Sequence, residues 1–179
     1  MAGSGVKQVA DRSCKHMDDQ ILFRSPASHD ATAMRLLAQG SQVLSVNSTY
    51  YYALMARHFQ TTCMVAEGAA SLCGYVIGYC PPEQADTLFV WQVGVARLSQ
   101  GKGLGKRLLI SLLQQKRPDF LEATIAPDNQ PSINLFSSVA RHFDTDHTFS
   151  EAPFFNEEDL GAGEKGEHLM RIGPFSYHS

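Results

Sequence analysis

The clearest chemical signal in this sequence is a glycine-rich turn, QGKGLG, which runs from Gln100 to Gly105. Its glycines allow the backbone to approach an anion closely and to adopt positive φ angles. The first N–H groups of a following helix lack intrahelical partners and, with the helix dipole, attract negative charge. Lys102 and Lys106 add full positive charges. The turn therefore predicts a phosphate-binding loop, while a tight turn with a solvated basic face is the alternative that this stretch alone leaves open.

Two elements must hold this turn in place. The preceding stretch LFVWQVGV, residues 88–95, is rich in β-branched and aromatic side chains, which predicts a strand buried on both faces. Leucines then recur at helical spacing from Leu104 to Leu113, which predicts an amphipathic helix. Lys116 suits the negative end of the helix dipole, and Pro118 prevents the helix from continuing. The pattern predicts a strand–turn–helix unit.

Two common phosphate motifs do not fit this turn. A Walker A loop needs Ser or Thr after its Gly-Lys pair, and neither residue follows Lys106. A dinucleotide fingerprint needs glycine at its sixth position, counted from Gly101, where this sequence again has Lys106. What fits is Q-x-x-G-x-G, beginning at Gln100. This pattern resembles the pyrophosphate loop of the GNAT acetyltransferases, which follows a long central strand and binds coenzyme A.

Length and composition limit the possible classes of protein. A chain of 179 residues is long enough for one domain with a real core. Its net charge of −3 argues against a dedicated nucleic-acid binder. No apolar stretch approaches the roughly 20 residues of a membrane span, and residues 1–20 lack the apolar region of a secretory signal. The four cysteines show no metal-binding spacing, so we expect reduced, mostly buried thiols in a cytoplasmic protein without a metal site.

The predicted elements follow the order β, α, α, β, β, β, α, β, α, β, β. The strands are predicted at residues 21–24, 61–67, 72–79, 88–95, 121–125, 142–149 and 168–172, and the helices end near residues 40, 59, 117 and 141. Helix N-caps are predicted at Ser28 or Asp30, at Asn47 or Ser48, and at Asn129. This order is typical of an α+β fold, a mixed sheet of about six or seven strands with helices on both faces, and it is also the order of the GNAT fold. Residues 1–19 are predicted to be a disordered extension, residues 20–179 a single domain, and residues 150–165 a loop.

Four further stretches narrow the resemblance to one branch of that family. They are Asn47-Ser48-x-Tyr50, the segment from Pro81 to Val93, Pro127-Asp128-Asn129, and Arg171-Ile172-Gly173-Pro174. Over roughly residues 21–174 the chain is similar to the diaminobutyrate acetyltransferases. The resemblance implies acetyl transfer from acetyl-CoA to the 4-amino group of the small amino acid diaminobutyrate, a step of ectoine biosynthesis. It also implies a homodimer.

The resemblance assigns cofactor contacts to three parts of the chain. The central strand contributes Gln92, Val93, Gly94 and Val95 to the pantetheine arm and the acetyl group. The loop contributes Gln100, Gly101, Lys102, Gly103, Leu104, Gly105 and Lys106 to the pyrophosphate, and the following region contributes Asn129, Asn134 and Phe136. Phe136 stands where many GNAT enzymes have a tyrosine that protonates the CoA sulfur, and phenylalanine has no proton to give.

The reaction also needs a group that accepts a proton. A primary amine has a pKa of about 10.4, so removing its proton at neutral pH costs roughly 4 to 5 kcal/mol. Glu122 is the first candidate for this base and for binding a substrate ammonium, with a solvent-facing strand residue as the alternative. Trp91 is a candidate for contacting an ammonium through its π face, and Tyr50 for lining the acceptor pocket. For both aromatic residues, ordinary core packing is the alternative.

Ser45 and Asn47 complete the expected acceptor-binding residues. The diaminobutyrate branch often has Asp at the position of Ser45, which can offer only a neutral hydrogen bond, and helix capping alone would explain Asn47. Two other functions therefore stay open at this point. One is acetylation of a different small amine, such as a polyamine or another diamino acid, and the other is a CoA-binding module without catalysis.

Overall fold

Seven strands and five α-helices follow one another in the part of the chain that the structure describes. The computed structural model describes residues 21–41, 44–161, 163 and 165–177. The strands are β1 (Leu22–Arg24), β2 (Met64–Glu67), β3 (Leu72–Tyr79), β4 (Thr87–Val95), β5 (Phe120–Ile125), β6 (His147–Phe149) and β7 (His168–Ile172). The helices are α1 (Ala31–Gly40), α2 (Thr49–His58), α3 (Leu104–Lys116), α4 (Gln130–His142) and α5 (Glu157–Leu160). The predicted extension over residues 1–19 lies outside the described residues.

The strands are hydrogen-bonded in the order β1-β2-β3-β4-β5-β7-β6. β1 with β2, β2 with β3, β5 with β7 and β6 with β7 are antiparallel pairs, whereas β4 and β5 are parallel. The sheet is therefore mixed, and the predicted α+β class is confirmed, as is the order of elements apart from the additional α5 between β6 and β7. The chain also divides into two compact units. Unit 1 comprises Met1–Gly78 and Gln92–Leu112, and unit 2 comprises Tyr79–Trp91 and Leu113–Ser179. The single-domain assignment stays a prediction.

The core of unit 1 forms where α1 and α2 pack with β2 and β3. Its buried side chains include Met34, Ala38, Tyr52, Met55, Val65, Tyr75 and Ile77. Arg24 of β1 closes one edge through ion pairs with Asp30 at 2.7 Å and Glu67 at 2.6 Å. Burial alone would raise the pKa of the Asp30 carboxyl, but hydrogen bonds from Arg24 and from the Ala27 N–H together lower it.

Three predicted elements differ in extent from the structure. The strand predicted from residue 61 begins at Met64, because Gln60–Thr62 forms a 3₁₀ turn in which the Thr62 hydroxyl donates to the carbonyl groups of Phe59 and Gly78. The strand predicted over residues 142–149 is confined to β6, since α4 continues to His142. The predicted loop 150–165 contains α5, which Asn156 caps by accepting from the N–H groups of Glu158 and Asp159.

The cysteine prediction needs one correction. Cys63 is a buried free thiol, and burial raises its pKa to about 11. Cys80 is also free, but Cys73 is disulfide-bonded, so the expectation of a reduced thiol is wrong for this residue. Cys14 lies outside the described residues. Among the described helices, none combines the length and apolarity needed to cross a bilayer.

Candidate active site

The glycine turn adopts the conformation that a phosphate loop requires. Gly101 and Gly103 have φ angles of +75° and +74°, which residues with a Cβ rarely adopt, although a Cβ at either position would meet open space. The first hydrogen bond of α3 runs from the Arg107 N–H to the Gly103 carbonyl at 3.0 Å. The N–H groups of residues 103–106 therefore precede the first helical donor and are available to an anion. This geometry fits the pyrophosphate of CoA.

The side chain of Gln100 forms a hydrogen bond at the start of the loop, and its cofactor contact stays a prediction. Its side-chain amide donates to the Val95 carbonyl at 3.1 Å, so it ties the loop back to the end of β4. Lys102 is exposed and Lys106 is half-buried at the start of α3. The loop thus carries backbone N–H groups and two ammonium groups that can attract an anion. The Gln100 side-chain amide is hydrogen-bonded to the Val95 carbonyl.

We expect Gly103→Ala to weaken CoA binding by about 5- to 30-fold, because a positive φ costs a residue with a Cβ about 1–2 kcal/mol. The free loop escapes this strain by changing conformation, and CoA binding must restore it. Isothermal titration with CoA measures the effect. The control is Gly40→Ala, at a helix end where the added Cβ meets nothing within 4 Å and φ is not positive. Equal CoA affinities of the two variants would contradict the loop assignment.

The second half of β4 carries a buried polar network within unit 1. The Gln92 side chain is 5% exposed, and its Oε1 accepts hydrogen bonds from the hydroxyl groups of Tyr75 at 2.7 Å and Tyr52 at 3.3 Å. Its Nε2 donates to the Ser45 carbonyl at 2.9 Å. These three partners engage the Gln92 side chain, and the cofactor contact of Gln92 stays a prediction. Burial, followed by the nearby Tyr52 phenol, raises the pKa of Tyr75, so that it stays a donor.

Gly94 explains how Tyr75 reaches this network. A Cβ at Gly94 would lie 2.3 Å from Cε1 and 2.6 Å from Cζ of the Tyr75 ring, so only glycine leaves room. Gly94 and Gln92 share one face of β4 because side chains alternate along a strand. Tyr75 is a functional candidate that the sequence interpretation missed, whereas Tyr52 was considered with Tyr50 and Tyr51 but not favoured. The available signal was a glycine two residues after the only polar side chain of the run from Leu88 to Val95.

The expected acceptor-side residues of unit 1 lie around the start of α2. Ser48, not Asn47, caps this helix, because its side chain accepts from the Tyr51 N–H at 3.2 Å. Capping therefore does not explain Asn47, which is half-buried. Ser45 is exposed and its carbonyl group accepts from Gln92. Tyr50 is 76% exposed, which excludes the core alternative for this residue.

Glu122 lies in unit 2, on β5 between β4 and β7. It is opposite Phe89 in the parallel pair and opposite Arg171 in the antiparallel pair. Its side chain is 7% exposed and forms an ion pair with Arg171, whose guanidinium carbon lies 3.8 Å from the centre of the Phe120 ring. The alternative of a solvent-facing strand residue is therefore wrong. Trp91, also in unit 2, is 39% exposed, so ordinary core packing does not explain it and β4 is not buried on both faces along its whole length.

Three further expected cofactor residues lie at the N-cap of α4 and along the helix. The Asn129 side chain caps the helix, accepting from the Ser132 N–H at 3.2 Å. The side-chain oxygen of Asn134 accepts a hydrogen bond from the side-chain amide of Gln130 at 2.9 Å. Phe136 is buried and cannot protonate a leaving group. Among the described residues, no group of three His, Cys, Asp or Glu side chains is placed to hold a metal ion.

Comparison with known proteins gives a consistent result. The model of the Acetyltransferase (GNAT) family matches residues 32–140. The chain is 42% identical to the L-2,4-diaminobutyric acid acetyltransferase of Marinococcus halophilus over 162 residues, which cover 88% of this chain and 92% of the relative. It is 40% identical to the enzyme of the same name from Nocardia farcinica over 172 residues, covering 94% of this chain and 86% of the relative.

A solved structure agrees with these relatives. It is the diaminobutyrate acetyltransferase EctA from Paenibacillus lautus, in complex with its substrate L-2,4-diaminobutyric acid and coenzyme A. The two structures share 32% sequence identity and a TM-score of 0.81, over 89% of this chain and 98% of that one. The matches span most of each protein and share one described activity. This chain therefore belongs to the GNAT acetyltransferase family and, within it, to the L-2,4-diaminobutyric acid acetyltransferases.

Proposed function

We propose that this protein transfers the acetyl group of acetyl-CoA to the 4-amino group of L-2,4-diaminobutanoate, giving N4-acetyl-L-2,4-diaminobutanoate and CoA in ectoine biosynthesis. The observation that carries the proposal is the likeness to the Paenibacillus lautus enzyme, which binds this amino acid and coenzyme A. The positive φ angles of Gly101 and Gly103 support the binding of CoA, because they give the loop before α3 the conformation of a phosphate-binding loop.

The proposed reaction begins with deprotonation of the acceptor ammonium. Glu122 takes this proton, directly or through a water, because it is a buried carboxylate on β5. The free amine attacks the thioester carbonyl carbon, forming the C–N bond, and a backbone N–H of residues 93–95 stabilises the developing oxyanion. The C–S bond then breaks. CoA leaves as a thiolate, and the attacking nitrogen releases its second proton to water as the amide forms. The thiolate takes a proton from water, since Phe136 has none to give.

Binding of the acceptor is assigned to five residues. Near the start of α2, Ser45 and Tyr50 offer hydroxyl groups and Asn47 offers an amide group. Trp91 attracts an ammonium group through its π face, and Glu122 attracts one through its negative charge. Because Ser45 is neutral, the charge partner of the second substrate ammonium group must be a residue other than Ser45. We further propose a homodimer in the cytoplasm, where acetyl-CoA is available; the resemblance to the family supports the dimer.

The function is tested by acetyl-CoA-dependent thiol release with diaminobutyrate, ornithine, lysine, putrescine or no amine. We expect strong preference for diaminobutyrate, with NMR identifying the N4-acetyl product. Equal or better turnover of putrescine would assign the protein to a different acceptor amine. CoA binding without turnover of any amine would overturn the enzymatic proposal in favour of a binding module.

A further inference from the structure

Gln92 is an unusual residue for its place in β4. Its side chain is buried in a strand whose earlier residues Leu88, Phe89 and Val90 are also buried and are apolar. An amide in such surroundings costs free energy unless its polar atoms are hydrogen-bonded. Here its oxygen and its nitrogen are both engaged, so the position demands both a donor and an acceptor.

The network fixes the direction of the amide. The Ser45 carbonyl can only accept a hydrogen bond, so the Nε2 group of Gln92 must face it. The Tyr75 and Tyr52 hydroxyl groups, which can donate or accept, therefore donate to Oε1. The described titratable groups that act on Tyr75 are the phenols of Tyr52 and Tyr51.

The group that Gln92 holds belongs to the segment of residues 44–48, between α1 and α2. This segment forms neither helix nor strand, and its side chains at Ser45 and Asn47 are proposed acceptor contacts. The bond from Nε2 anchors its backbone at Ser45, and the Ser48 cap anchors it at the start of α2. Between these two anchors lie only Val46 and Asn47. The position of Asn47, and of Tyr50 in the first turn of α2, thus depends on both anchors.

We propose that Gln92 is a positioning residue for the acceptor amine, acting through the Ser45 carbonyl and not through contact with the reacting atoms. This inference rests on the proposed function, because it concerns the residues assigned there to acceptor binding. It predicts that loss of the Nε2 donor raises KM for the acceptor amine while KM for acetyl-CoA stays unchanged. A purely structural amide would instead affect folding stability without this selectivity.

The variant Gln92→Glu tests whether the Nε2 donor is needed, through the pH dependence of the acceptor KM. The protonated carboxyl keeps an acceptor for the tyrosines and a donor for Ser45, whereas the ionised carboxylate has no donor and repels the Ser45 carbonyl. Burial raises the pKa of such a carboxyl toward neutrality. We expect the ratio of variant to wild-type acceptor KM to rise from near one at about pH 6 to about tenfold at about pH 9. The acetyl-CoA KM ratio should stay near one. Gln114→Glu, the same change at an exposed position of α3, is the matched control.

Tyr75→Phe is a second, independent variant, and it carries the test if Gln92→Glu does not fold. It removes the shorter of the two hydrogen bonds to Oε1, and we expect acceptor KM to rise about threefold with acetyl-CoA KM unchanged. Tyr79→Phe, the same change at the end of β3 and outside the network, is its control. The inference is overturned if acceptor KM matches the wild type at every pH, or if both KM values rise together with a lower Tm.

Failure of the proposed function and failure of the positioning role of Gln92 give different experimental results. Failure of the proposed function is visible in the wild type alone, as absence of diaminobutyrate turnover, and the KM ratios are then measured with the amine that the wild type accepts. Failure of the positioning role is visible only in the ratios of variant to wild type.

Discussion

Replacing Glu122 with glutamine should lower kcat for diaminobutyrate acetylation by about 100- to 10,000-fold, the usual contribution of a general base. Glutamine matches glutamate in size, and its carbonyl oxygen still accepts a hydrogen bond from Arg171. The side chain can no longer take the ammonium proton, however. Steady-state kinetics measure the effect on kcat, and titration with CoA should show unchanged cofactor affinity.

The control for this variant is Glu67→Gln. Glu67 is also a carboxylate paired with an arginine, Arg24 at 2.6 Å, but it lies on β2 and has no assigned role in the reaction. Its replacement should leave kcat within about twofold, since partly exposed ion pairs contribute little to stability. A Glu122→Gln enzyme that keeps its kcat from about pH 7 to about pH 9 would contradict the base assignment. The Arg171 ion pair would then be a structural link between β5 and β7.

The strand–turn–helix unit was predictable because its determinants are local. Leucine spacing, closely spaced glycines and Pro118 all act within about four residues of the structure they specify. The structure accordingly has β4 and α3 at the predicted places, with Gly101 and Gly103 at positive φ. The order of elements followed from the same kind of signal.

The polar partners within each unit were not predictable from local signals. Gln92 binds Tyr75 across 17 residues and Tyr52 across 40, and Glu122 meets Arg171 across 49. Alternation along a strand tells which residues share a face but not what that face meets. For the same reason, the sequence left two predictions open for Glu122, a catalytic base and a solvent-facing strand residue. Among Tyr50, Tyr51 and Tyr52, the family resemblance favoured Tyr50, whereas Tyr52 is the tyrosine whose hydroxyl group donates to Gln92.

Gly94→Ala should destabilise the protein by about 3 kcal/mol, near the upper end for overpacking of a buried site. The added Cβ would lie 2.3 Å from the ring of Tyr75, which is fully buried on β3. The ring must move, and its hydroxyl then leaves Gln92. Urea unfolding measures the change in the free energy of unfolding. Gly40→Ala, where the Cβ meets open space, should be neutral or slightly stabilising.

A double-mutant cycle with Tyr75→Val identifies the cause of this loss. Tyr75→Val alone removes buried ring contacts and is destabilising, but it also removes the atoms that a Cβ at residue 94 would strike. In the Tyr75→Val background, Gly94→Ala should therefore cost at least about 1 kcal/mol less than in the wild type. Additive effects would mean that the strand backbone, and not the tyrosine ring, demands glycine at this position. Because Tyr75 holds Gln92 through a hydrogen bond, the Gly94→Ala enzyme should also show a raised acceptor KM, which links the contact between Tyr75 and Gly94 to amine binding.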